Sequence, residues 1–160
     1  MRSRSADLLT ILAVFTAACG GTSKRPMTPS TSTAGTIHRQ ATVRLEQTTA
    51  LDLDTGTFPP RLGNGADVWF QAVNAQQRYL TPMRSNAAAL AVYGESAPGF
   101  GGCSAAAVNG TDIPIETLTI DLYLCASTSE GRIAEIRVVE PAGPSGPTAA
   151  LTISYTTYNR

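Results

Sequence analysis

This chain of 160 residues predicts an all-β domain, an antiparallel β-sandwich of about seven to nine short strands, with a small β-barrel as the alternative. Three observations carry that prediction. Apolar residues recur at every second position in several segments, as half-buried strands require. Turn-forming residues recur at short intervals, at Pro59-Pro60, Gly63-Asn64-Gly65, Pro98-Gly99, Asn109-Gly110 and Gly143 to Pro147. No long segment combines a helical period with helix start signals.

The elements follow in order. Val43, Leu45, Leu51 and Leu53 share one parity, which predicts a strand over Val43–Leu53. Asp67–Val73 and Arg78–Thr81 are the next candidates. The run Ala87–Ala91 has the propensity for a helical turn, but Val92-Tyr93-Gly94 draws Ala88–Tyr93 toward strand. Leu118, Ile120, Leu122 and Leu124 share a face, as do Ala134, Ile136 and Val138. Between these two segments Ser127–Arg132 carries Gly131, which supplies the positive φ of a tight connection, so a hairpin is predicted. The last strand is Ala150–Tyr158, in which Leu151, Ile153 and Tyr155 alternate with Thr152, Ser154 and Thr156.

There are three cysteines, an odd count. Cys103 and Cys125, 22 residues apart, are predicted to form a disulfide, whose loop closure stabilises by roughly 3 kcal/mol. The alternative is two buried, reduced thiols. Cys125 has the opposite parity from Leu124, so the bridge would join a strand's second face to the Gly-rich loop around Cys103, unless a bulge intervenes. No histidine lies nearby, which argues against metal at these thiols.

Cys19 ends the apolar run Leu8–Ala18, which Arg2 and Arg4 precede and Gly20-Gly21 follow. A positive start, a short apolar stretch, small residues and then cysteine resemble a bacterial lipoprotein signal. That resemblance implies that Cys19 is lipidated and becomes the first mature residue. Thr16 departs from the branched residue usual there; Ala17 and Ala18 fit, and would also suit ordinary cleavage after Ala18. The run of 11 residues is too short to cross a bilayer as a helix, which takes about 20. The expected organisation is a signal peptide at 1–18, a lipid-anchored flexible tether at 19–36 poor in apolar residues, and a single β domain at 37–160. The implied location is the bacterial envelope outside the cytoplasm. Gly20 after the cysteine resembles the signal for an outer membrane, where the organism has one. A lipidated Cys19 also accounts for the odd thiol.

Residues 37–160 contain eight arginines, no lysine and eleven carboxylates, a formal charge of −3. Nucleic-acid binding normally shows the opposite sign, so no nucleic-acid partner is expected. The segment Asp52-Leu53-Asp54-Thr55-Gly56 has the alternating carboxylates of a calcium loop, but the twelve-residue EF-hand loop would need Glu where Gly63 stands. A looser site using Asp52, Asp54 and Asp67 is the alternative to solvated carboxylates at a strand end. The latter is the preferred reading, with no metal and no cofactor expected. Asp54-Thr55-Gly56 also resembles the aspartic-protease triplet, without a second carboxylate in a matching setting. A hydroxyl nucleophile needs a base, and the single histidine, His38, lies where the tether meets the first strand and reads as an ordinary exposed residue. Asn109-Gly110-Thr111 matches a glycosylation sequon but reads as a turn.

Trp69 and Phe70 are adjacent, so on a strand they point to opposite faces. Trp69, with Tyr79, is the candidate ligand contact; the alternative places Trp69 in the core or at its rim. Ala66–Val73, Arg78–Pro82 and Tyr123–Ile133 together resemble a type of β module found in secreted or surface proteins of bacteria, a resemblance that implies no known activity. The functional expectation is a non-enzymatic binding module for a glycan or protein, with the membrane a partner through the lipid. The alternatives are a small secreted hydrolase with converging carboxylates, and a structural spacer or enzyme inhibitor.

Overall fold

The computed structural model describes residues 35–59 and 65–160. The predicted signal peptide, the lipid attachment residue Cys19 and the tether up to residue 34 lie outside the described residues. Among the described residues nine strands form two antiparallel sheets: β1 (Ile37–Glu46), β2 (Ala50–Leu51), β3 (Val68–Ala72), β4 (Arg78–Pro82), β5 (Ala89–Gly94), β6 (Ile113–Pro114), β7 (Tyr123–Ser127), β8 (Ile133–Glu140) and β9 (Ala150–Tyr158). One sheet has the order β1-β9-β8-β7-β5 and the other β2-β3-β4-β6. Neither sheet closes into a barrel, so the sandwich is the fold. Alternate residues of both sheets meet in one core, with Leu45, Ile136, Leu151 and Tyr155 from the first facing Leu51, Phe70 and Leu80 from the second.

The alternating run Val43–Leu53 is two strands rather than one. Thr48 adopts a left-handed φ of 69°, and the chain turns there, Thr49 donating through its hydroxyl to the Glu46 carbonyl. β1 therefore belongs to the five-stranded sheet and β2 to the other, although Leu45 and Leu51 enter the same core. A run of one parity survives a turn when both of its halves face a shared interior.

The predicted strand over Leu118–Leu124 is also corrected. A short 3-10 turn spans Ile115–Thr117, Asp121 has φ 63°, and the strand begins only at Tyr123. Leu118 and Leu124 are buried, but Ile120 is 62% exposed. The hairpin is as predicted: β7 and β8 pair from Ser127↔Ile133 onward, and Gly131 turns the chain at φ 78°. Ala88–Tyr93 is resolved in favour of strand, as β5.

The Gly-rich segment around Cys103 is a short helix, α1 (Gly99–Ala105), where a loop is expected from sequence. Three glycines in seven residues oppose a helix on propensity, so tertiary contacts hold it. Cys103 is bridged to Cys125 with Cα atoms 5.0 Å apart, and the Gly99 amide donates to Glu135 Oε2 at 2.6 Å. Cys125 and Glu135 are register partners on the face of the sheet opposite to Leu124, so α1 lies on the outer face, as the parity of Cys125 predicts. Cys103, Cys125 and Ile133 are buried there as a small separate cluster.

Candidate functional site

Three carboxylates converge at one end of the sandwich. Leu51 of β2 pairs with Val68 of β3, so Asp52, just after β2, and Asp67, just before β3, face each other across the ends of an antiparallel pair. Asp52 Oδ1 accepts from the amides of Asp54 (2.8 Å) and Thr55 (2.9 Å), the turn that short acidic side chains favour. Asp67 Oδ2 accepts from the Leu53 amide at 2.7 Å, and its Oδ1 from the Ser129 amide in the β7–β8 hairpin. Asp54 is folded inward by this turn, and one oxygen from each of the three aspartates lies within 4.8 Å of the others.

These are not solvated carboxylates at a strand end, as the sequence reading prefers: Asp52, Asp54 and Asp67 are 8%, 3% and 1% exposed. Neither oxygen of Asp54 receives a hydrogen bond. Arg132 Nη1 stands 3.2 Å from Asp54 Oδ1, a charge contact without hydrogen-bond geometry, and the same nitrogen also pairs with Glu130. Burial pushes the Asp67 carboxyl up to about 6, with the Asp54 charge adding to it, against the amides of Ser129 and Leu53 that hold it down.

The two aromatic residues singled out by sequence lie on the outer face of the four-stranded sheet. Trp69 pairs with Thr81, and Tyr79 with Gln71, which makes the two rings diagonal neighbours. Both are half-buried. Trp69 packs against Ala50, Ala66, Met83 and Ala88, and its indole Nε1 is buried without a partner. It is a rim residue, while Phe70 enters the main core as the parity argument requires.

Sequence reasoning missed a second aromatic site. A groove of about 480 Å³ runs between α1 and the start of β1, lined by Ile37, Pro98, Phe100, Tyr158 and glycine backbone. Phe100 and Tyr158 meet edge to face with ring centroids 5.7 Å apart. Ile37 is 57% exposed on its rim. Burial raises the Tyr158 hydroxyl above its ordinary range, with the Glu135 charge adding to this. No sequence signal places Phe100 here, because the helix that carries it was not predicted.

The other candidates fall apart in space. His38 is exposed on β1. Asn109 makes a turn, its side chain accepting from the Thr111 amide at 2.8 Å. A scan of family models and searches of curated proteins and of solved structures found no match to this chain.

Proposed function

We propose that this chain is a lipid-anchored protein of the bacterial envelope, attached through Cys19 and working through its β domain as a non-enzymatic binding module for a glycan or a protein. The single observation that supports the binding role best is the groove beside α1. Its volume of about 480 Å³ falls within the roughly 300–1,000 Å³ of small-ligand sites, which are mostly apolar with a few polar groups. Phe100 and Ile37 supply apolar surface, Tyr158 a ring with a polar handle, and the glycines let a ligand approach the backbone closely. The hydrolase reading would draw on Asp52, Asp54 and Asp67, but these are buried and most of their accepting capacity faces inward. A substrate bond needs carboxylates that line a cleft.

Two measurements test the proposal. Mass spectrometry of the mature N-terminus is expected to find a diacylated or triacylated Cys19; cleavage elsewhere or a bare thiol removes the anchor. Envelope polysaccharide and protein fractions passed over the immobilised full chain are expected to leave a retained component that Phe100→Ala releases and Trp69→Ala does not. Retention by neither fraction leaves the domain a spacer, and release by Trp69→Ala alone moves the site to the outer face of the four-stranded sheet.

A further inference from the structure

We infer that Asp52, Asp54 and Asp67 form a calcium site that fastens the β2–β3 end of one sheet to the β7–β8 hairpin of the other. The convergence of three acidic groups would not suffice. The second observation is Asp54 itself, whose side chain is 1% exposed and whose two oxygens accept no hydrogen bond, Oδ1 having only the charge contact with Arg132.

The amide donors on Asp52 and Asp67 are already committed: those of Asp54 and Thr55 to Asp52, and those of Leu53 and Ser129 to Asp67. Among the described residues Arg132 is the one cation paired with the cluster, and it is shared with Glu130. The cluster thus holds more buried negative charge than its surroundings offset, and isolated buried charge is costly. A further cation, a bound proton or a buried water can fill the role, and only the cation offsets the charge while leaving the aspartates ionised.

The spacing fits a calcium ion. Oxygens that bind one Ca²⁺ at 2.3–2.6 Å can stand at most about 5 Å apart. The three carboxylate oxygens lie within 4.8 Å of one another, inside that limit, and a carboxylate that accepts no hydrogen bond, as in Asp54, suits a hard cation that takes six to eight oxygens. Asp67 already reaches Ser129, so an ion bound to its remaining lone pairs strengthens a contact between sheets that exists without it.

The test uses the full chain, stripped with EDTA and titrated with calcium chloride by calorimetry and thermal unfolding. One calcium per chain is expected, with the melting temperature raised by about 5–10 °C at saturating calcium. Asp54→Asn should abolish that rise, yet in EDTA melt no lower than the native chain, because it removes a buried charge that one shared arginine only partly offsets. Glu95→Gln, at an exposed position with no bond to the cluster, should keep the calcium response. Absence of binding heat together with an unchanged melting temperature overturns the site, and an equal rise with magnesium chloride overturns its assignment to calcium. Should Asp54→Asn fail to fold, equilibrium dialysis of the native chain decides: less than about 0.1 calcium per chain at millimolar calcium refutes the inference.

Discussion

Arg78 shows how a single charged side chain is housed inside a sandwich. It is 6% exposed, and its guanidinium donates to Glu116 Oε1 at 3.0 and 2.8 Å and to the Gly143 carbonyl at 2.8 Å. Removing it deletes these bonds and the buried aliphatic stem, so Arg78→Ala should lower stability by about 2 kcal/mol, read from the urea midpoint. Glu116, held below the usual carboxylate range first by its own backbone amide and then by Arg78, has a folded pKa below its unfolded one. Its contribution is therefore complete above about pH 4.5 and is lost as pH falls through the folded value. The stability gap between the native chain and Glu116→Gln should accordingly close in acid, and a gap that widens there would contradict the pairing. Asp67 acts instead through the backbone amides that donate to it. Asp67→Ala, measured in EDTA, leaves the buried Leu53 amide and the part-buried Ser129 amide without their acceptor and should cost about 3 kcal/mol. The three aspartates were legible as candidate ligands from their spacing. Their burial was not, because it depends on the β2–β3 pairing and on a hairpin more than 60 residues away in sequence.

At the scale of elements, α1 is the piece that depends most on its partners. A helix of seven residues is too short to persist alone in water, and this one carries glycines where alanine would be better. Replacing Cys103 and Cys125 with serine should lower stability by about 3 kcal/mol, and hydrogen exchange at Gly99–Ala105 should speed up far more than at β8. Equal acceleration in both would show that the bridge supports the whole sheet rather than the helix. Alternation was a sound guide to β7, β8 and β9, where one face is core and the other is not. It failed over Leu118–Leu124, since it cannot distinguish a strand from a turn whose apolar residues happen to alternate, and Ile120 is the residue left outside. It over-reached at Val43–Leu53 for the opposite reason, because both strands there feed one interior and the parity runs unbroken through Thr48.

For the whole molecule, the sandwich and its bridge were readable because period-two alternation and cysteine count are local properties. Sheet membership was not, because strand order β1-β9-β8-β7-β5 is set by pairings distant in sequence. In the native, unreduced domain, thiol reagents should label neither Cys103 nor Cys125; stoichiometric labelling of either refutes the bridge. The pairing of β1 with β9 carries one more consequence. Ile37 stands opposite Tyr158, and Glu46 opposite Ala150, so the chain enters β1 and leaves β9 at the same end of the sandwich. A load applied between those two points would pull the strands apart sideways, opening hydrogen bonds one at a time like a zipper. A load applied between Ile37 and the far end of the sandwich would instead have to slide β1 along β9, breaking the whole row together. The groove lies at the first end, beside Ile37 and Tyr158. A ligand seated there and tugged against the chain entering at Gly35 would leave most of the β1–β9 row unstressed, and the fold would meet that force at its first few rungs.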